Sequence, residues 1–262
     1  MAEGETEVCG ICLETLPRWA DEIIRFTCCG KGMHNACTEE LRASAHRNKC
    51  PMCRAPAPRT EFEAHRRALK WAERGKGWAI NTIAQDYELG RGVQKSQKTA
   101  RLWYGRAAEQ GSAQSQYNLA IMHYNGQGGP VSMEQARVWY GRAAEQGHAK
   151  SQENLSRMLY QGHGGPVSTE LAIFWLKRAV AQGFRVDNLM RVIEEIESTC
   201  FSCGKRRASG ELNMKKCMGC KCAIYCSKGC QLAHWKKNGG HHKTMCKKIQ
   251  ALHLKMAGGA AN

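Results

Sequence analysis

The stretch WYGRAAEQG at Trp103–Gly111 is written again, letter for letter, at Trp139–Gly147, thirty-six residues further on. The same interval links Gly75, Gly111, Gly147 and Gly183, then Trp103, Trp139 and Trp175, then Arg106, Arg142 and Arg178. It also links Ala107, Ala143 and Ala179, and the serines Ser96, Ser132 and Ser168. So many coincidences in one register define a repeat running from Gly75 to Gly183. Each unit holds two segments of apolar periodicity around a glycine-rich turn, the pattern of a helix-turn-helix that must stack on a neighbour to bury its apolar face.

Start and stop signals place the helices. Ser132 and Gln135 have capping-box spacing just after Pro130, and the helix that follows runs to Gly147, a glycine suited to the left-handed C′ position. The first helix of a unit, such as Ala113–Tyr124, is stopped by Asn125-Gly126-Gln127-Gly128-Gly129-Pro130, which no helix traverses. With that turn, the WYGRAAEQG wording resembles the Sel-1-like repeat, a relative of the tetratricopeptide repeat. The resemblance covers about three units, the third departing to FWLKRAVAQG at Phe174–Gly183. It implies an α-solenoid with a concave face for another protein, a scaffold and not a catalyst. The repeated Trp and Tyr residues are expected to be inter-helix core and not a ligand-binding set. Glu63 to Gly75 ends RALKWAERG, half a unit with Thr60 as its cap, and reads as the entry cap of the solenoid. Asp187 to Ser198, with Leu189, Val192, Ile193 and Ile196 on one face, reads as a helix covering the far end.

Cysteine placement sets the remaining boundaries. Of fifteen cysteines, seven lie between Cys9 and Cys53, eight between Cys200 and Cys246, and none in the repeats. The amino-terminus offers no apolar signal segment and no stretch long enough to span a membrane, so the thiols are expected to be reduced, in the cytoplasm and/or the nucleus. Paired CxxC spacing then points to metal. The expected division is 1–58, a zinc finger; 59–199, helical repeats with capping helices; 200–246, a second finger; and 247–262, a basic tail. The formal charge of +16 is uneven, since residues 200–262 carry thirteen Lys and Arg against one acidic residue. Fourteen thiolates holding four divalent ions would lower the +16 to +10, which leaves that segment basic.

In the first cluster, Cys9, Cys12, Cys28, Cys29, His34, Cys37, Cys50 and Cys53 supply eight ligands for two tetrahedral ions. Zinc suits thiolate and imidazole in a closed four-coordinate site, and in zinc-finger peptides an ion supplies on the order of 10 kcal/mol to folding. So short a segment has too little apolar content to fold by burial alone. The order CxxC, a Cys pair, HxxC, then CPMC and an arginine resembles a RING finger. The resemblance implies interleaved ligation, Cys9 and Cys12 with His34 and Cys37, and Cys28 and Cys29 with Cys50 and Cys53. Family members usually place a residue between the third and fourth ligands, and this chain has none between Cys28 and Cys29. His46 lies off the pattern and reads as a solvated loop histidine. A RING finger carries no nucleophile or base; it positions a charged ubiquitin-conjugating enzyme for attack by a substrate lysine. The family's contact positions fall on Ile11, Leu41, Pro51 and Arg54, the last matching the cation that bridges ubiquitin and the enzyme.

The second cluster has CxxC at Cys200 and Cys203, CxxC at Cys217 and Cys220, then Tyr225-Cys226-Ser227, Cys230-Gln231, His234-Trp235, His242-Lys243 and Cys246. This resembles a MYND finger. The resemblance implies one zinc on Cys200, Cys203, Cys226 and Cys230 and another on Cys217, Cys220, His242 and Cys246, four ions in the chain altogether. The histidine comes later after the tryptophan than in the family, so His234 and His241 remain alternatives; three residues between His242 and Cys246 put these two on adjacent turns of one helix. Cys222 is left over, a buried or spectator thiol. MYND fingers bind short proline-containing peptides, which is what the resemblance implies here.

The fold class is thus mainly α, a solenoid of Sel-1-like helix pairs flanked by two small cross-braced zinc-binding domains. Two function classes stand: a RING-type ubiquitin ligase that finds partners through its repeats and MYND finger, and a non-catalytic adaptor. Nucleic-acid binding through the basic carboxy-terminus comes third, because one interleaved aromatic, Trp235, is poor provision for base stacking. Lysine methyltransferases also carry MYND fingers, but the helical repeats leave no room for their strand-rich catalytic domain.

Overall fold

The computed structural model describes residues 8–9, 11–16, 23–42, 49–183, 215–218, 220, 222–225, 228–236 and 241–258. They divide between two compact units, Met1–Ser132 and Met133–Asn262. In the first, β1 (Ile23–Arg25) pairs antiparallel with β2 (Gly32–His34) and runs into α1 (Asn35–Arg42). Four helices of equal length follow: α2 (Glu61–Glu73), α3 (Gly77–Leu89), α4 (Gln97–Glu109) and α5 (Ala113–Asn125). The second unit holds α6 (Met133–Glu145), α7 (Ala149–Gln161) and α8 (Thr169–Ala181). Its carboxy-terminal part is the ribbon β3 (Lys215–Lys216) and β4 (Ile224–Tyr225), then α9 (Lys228–Lys236) and α10 (His241–Gly258). Among the described residues no helix is long and apolar enough to cross a membrane. The expected helix at Asp187–Ser198 lies outside the described residues.

Helix ends follow from their cap chemistry. Thr60 Oγ1 accepts from the Glu63 amide at 3.1 Å, and Glu63 in turn accepts from the Arg59 amide at 2.9 Å and from Arg67 at 2.6 Å. These bonds, the Arg59 amide first, hold the Glu63 carboxyl below its usual range. Ser96 caps α4 through the Thr99 amide at 3.2 Å, and His148 Nδ1 does the same for α7 through Ser151. At the other end, Gly111 and Ser112 donate to the carbonyls of Ala108 and Ala107, and Gly147 and His148 repeat the pair on Ala144 and Ala143. This is the two-bond termination that a left-handed glycine permits.

The repeat interior is built of small and aliphatic residues in register. Ala107, Ala108, Ala143 and Ala144 are buried, as are Ile83, Leu119 and Leu155, one in each successive first helix. The repeated aromatics divide. Tyr104 and Tyr140 are core, but Trp103 and Trp139 are only half-buried, with the Arg106 and Arg142 guanidiniums over their rings at 4.7 and 4.4 Å. The expectation of inter-helix core holds for the tyrosines, and Trp103 packs against the buried cluster that includes Ile83 and Ala107 while one face of its ring takes a cation. The third, Trp175, is buried.

The glycine-rich turns exist to let backbone approach backbone. A Cβ on Gly128 would lie 2.3 Å from the Gln97 carbonyl oxygen, and one on Gly164 would lie 2.2 Å from that of Met133. Each turn therefore rests on the amino-terminus of the second helix of the preceding pair. Arg101 fastens the first of them, donating to the Gln127 and Pro130 carbonyls at 3.4 and 3.3 Å and to His123 Nδ1 at 2.6 Å. Arg137 does the same for His163 and Pro166 at 3.5 and 3.1 Å.

Candidate metal centres

Three groups of four metal-binding side chains converge among the described residues, each with its donor atoms within 4.8 Å of one another. They are Cys9, Cys12, His34 and Cys37; Cys28, Cys29, Cys50 and Cys53; and Cys217, Cys220, His242 and Cys246.

Local turns aim the sulfurs. In the first loop the Cys9 amide donates to Glu14 O at 2.8 Å and the Leu13 amide donates back to Cys9 O at 3.0 Å, with Leu13 left-handed at φ 61°. The CPMC loop repeats this with Cys50 on Ala55 O at 2.7 Å, Arg54 on Cys50 O at 2.9 Å, and Arg54 at φ 59°. Between the knuckles, the β1–β2 turn closes through the Cys29 and Gly30 amides on Phe26 O, which lets the adjacent Cys28 and Cys29 both reach one tetrad. His34 ends β2 and Cys37 lies in the first turn of α1, opposite the first knuckle. The two tetrads therefore interleave along the chain.

In the second unit the Cys217 amide donates to Ala223 O at 2.7 Å, closing a loop that carries Cys217 and Cys220. His242 and Cys246 face it from successive turns of α10. His242 Nε2 lies 3.4 Å from Cys217 Sγ. His234 stands apart from the tetrad, with its Nδ1 2.9 Å from the Tyr225 hydroxyl and its ring stacked on that of His242 at 5.1 Å. The side chain of His241 lies outside the described residues, so of the three candidates it is His242 that the structure brings to the sulfurs. Cys222 is buried, outside the tetrad, and donates to Cys220 O at 3.2 Å.

The donor sets fit zinc. Sulfurs around a tetrahedral ion with bonds of about 2.3 Å stand roughly 3.8 Å apart. Cys28 and Cys53 are 3.4 Å apart, Cys29 and Cys50 3.7 Å, and Cys217 and Cys246 3.9 Å. Each tetrad also contains a sulfur poised as thiolate. Burial opposes ionisation of Cys9, but the amides of His34, Cys12 and Ile11 bring it down to about 6. The Ala55 amide, then Cys28, bring Cys53 to about 7, and hydrogen bonding from Cys222 brings Cys220 to about 3. A closed, four-ligand arrangement with no open position is a structural site and not a catalytic one.

Sel1 repeat models match residues 83–112, 113–148 and 149–184, and a MYND finger model matches 200–246. The chain carries Sel1 repeats and a MYND finger. Among solved structures, a protective antigen of uropathogenic Escherichia coli displaying an SLR fold is 31% identical over 49% of this chain and 27% of its own, with a TM-score of 0.48. A Sel1 repeat protein from Oxalobacter formigenes is 33% identical over 47% of this chain and 49% of its own, with a TM-score of 0.46. This chain thus matches less than half the length of either. No curated protein matches it.

Of the other ligands expected in the MYND finger, Cys230 lies on α9, and Cys200, Cys203 and Cys226 lie outside the described residues. His46 also lies outside them. In the amino-terminal finger Ile11 is 42% exposed, Pro51 is half-buried, Arg54 is exposed, and the backbone of Leu41 belongs to α1. Sequence reasoning missed contacts that fasten the fingers, among them one at each set of ligand loops. Trp71 Nε1 donates to Thr27 O at 2.9 Å, in the turn that carries Cys28 and Cys29. Glu170 Oε1, on α8, lies 3.5 Å from His242 Nδ1. No motif marks either residue, and the register position of Glu170 carries the same letter in the preceding repeat, Glu134, so the wording gives no signal there.

Proposed function

We propose that the amino-terminal finger is a RING finger and that the protein is a ubiquitin ligase, taking its partners through the Sel1 repeats and the MYND finger. The observation that carries this reading is the interleaved pair of tetrads, with Arg54 held left-handed by the second knuckle and its side chain exposed. The knuckle fixes where this cation leaves the backbone, which removes the loop's share of the ordering cost of bridging two proteins. In the reaction so assisted, a substrate lysine amine attacks the thioester carbonyl between ubiquitin and the conjugating enzyme. The carbon–sulfur bond breaks, an isopeptide bond forms, and the enzyme's cysteine leaves as thiolate. The finger contributes orientation alone. This reading places the protein in the cytoplasm and/or the nucleus, where thiols stay reduced for zinc.

Zinc-loaded full-length protein, mixed with activating enzyme, ubiquitin and a panel of conjugating enzymes, is expected to form polyubiquitin. Arg54→Ala should lose it with zinc content unchanged. No transfer with any conjugating enzyme would turn the case to the second reading, a non-catalytic adaptor for proline-containing peptides, which is favoured by the match to two protein-interaction modules. Nucleic-acid binding has little support, because Trp235, the aromatic interleaved with the basic residues, is half-buried and packs against His242 at 5.6 Å.

A further inference from the structure

The three repeats offer an internal control for the third. Lys98 and Glu134, two repeats and one repeat before Glu170 in register, are exposed, whereas Glu170 is 5% exposed. Leu102 and Val138 are 64% and 47% exposed, whereas Phe174 in the same register is 3% exposed, with the His253 ring edge-on at 4.9 Å. Ser96 caps its helix, whereas Ser168 makes no such cap and points its hydroxyl at Met245 Sδ, 3.7 Å away. In the third repeat α10 covers a face that the other two leave to solvent.

A carboxylate sealed under that cover needs a partner. Glu170 faces His242, which is fully buried and has its two ring nitrogens committed in different directions: Nε2 is 3.4 Å from Cys217 Sγ and Nδ1 is 3.5 Å from Glu170 Oε1. Among the described residues Nδ1 has no hydrogen-bond partner, and the Glu170 carboxylate stands beside it at ion-pair distance. We propose that Glu170 is an outer-sphere ligand of the zinc held by Cys217, Cys220, His242 and Cys246, so that the last Sel1 repeat sets the metal affinity of the MYND finger. A carboxylate on Nδ1 keeps the proton there, leaves the Nε2 lone pair for the ion, and fixes the ring plane. The coupling is reciprocal. Whatever factor Glu170 adds to zinc affinity, zinc adds to the seating of the finger on α8.

The test is competition of zinc-loaded full-length protein with a chromogenic chelator. Glu170→Ala should weaken one zinc equivalent by about 10–100-fold and leave the others unchanged. Glu170→Gln, nearly isosteric and still able to accept from Nδ1, should show a smaller loss of the same sign, and it preserves the reading if the alanine variant misfolds. In a Cys246→Ser background, where this site is already broken, Glu170→Ala should alter nothing further. His253→Ala, which removes a ring from the cover and leaves the Glu170–His242 pair in place, should release zinc as the unsubstituted protein does. The proposal is overturned by release curves for both Glu170 variants that superimpose on the unsubstituted protein. It is equally overturned by a Glu170 effect that persists in the Cys246→Ser background, or by His253→Ala losing zinc as readily as Glu170→Ala.

Discussion

Replacing Gly128 by alanine should destabilise the first compact unit by about 2–5 kcal/mol. Two effects add. At φ +69° an L-residue is left-handed, which costs roughly 1–2 kcal/mol. The new Cβ would also lie 2.3 Å from Gln97 O and 2.6 Å from Gln97 C. That backbone belongs to the capped first turn of α4, so it cannot yield cheaply, and overpacking costs of about 1–3 kcal/mol apply. Two other glycines of the same unit separate the effects. Gly111, at φ +89° with nothing within 4 Å of an added Cβ, should show the left-handed cost alone. Gly105 lies inside α4 with open space around it, and its alanine variant should be stabilised by about 0.8–1 kcal/mol. Urea unfolding of the zinc-loaded protein, followed by far-ultraviolet circular dichroism, should rank Gly105→Ala above the unsubstituted chain, then Gly111→Ala, then Gly128→Ala. A Gly128→Ala midpoint no lower than that of Gly111→Ala would refute the close approach of turn to helix on which the stacking of the repeats rests.

Trp71→Phe keeps an aromatic ring beneath Gly30 but loses the bond to Thr27 O, and should weaken the seating of the amino-terminal finger by about 1 kcal/mol, read as faster zinc release at unchanged helix content. Trp71→Ala should lose more. For pH, burial and then Arg101 depress the folded-state pKa of His123. The unfolded state therefore takes up the proton first. His123 contributes stability that is fully present above its ordinary value near 6.5 and is lost as pH falls through that value toward the depressed one. His123→Asn should flatten the pH dependence of the urea midpoint in that window; an unchanged slope would remove His123 as its source.

The repeats were legible because two units share nine consecutive letters, and the helix ends because Thr60 and Ser96 are capping residues placed where the apolar periodicity begins. The tetrads were legible because a knuckle is local: CxxC spacing lets one short turn aim two sulfurs, and His242 and Cys246 share a face by helical period alone. What one sequence could not show is which side of a repeat meets something else. Trp103 and Trp175 occupy one register position, yet one lies at the rim under an arginine and the other is buried. The difference comes from what lies across the chain. For the same reason nothing in the sequence marks Arg101, which gathers two carbonyls of the following turn and a histidine of α5.

A repeat needs a neighbour on both sides, and the terminal ones lack one. The departures of this chain from its own repeat fall at the terminal units. At α2 the first helix of the pair is missing, and the indole of Trp71 instead meets the turn that carries Cys28 and Cys29. At α8 the exposed position of Leu102 and Val138 becomes Phe174, packed under α10, while Glu170 keeps the letter of Glu134 but is buried and faces His242. The amino-terminal segment has too little apolar content to fold by burial alone, and an ion contributes on the order of 10 kcal/mol where its ligands are gathered. The terminal helices gain from that energy only if side chains join them to the ligand loops, and Trp71 and Glu170 are among the residues so placed. The third repeat is therefore not decay of the pattern: Glu170 keeps the letter of Glu134 and differs only in what it faces, and the aromatic Phe174 replaces the exposed Leu102 and Val138 where a cover is present.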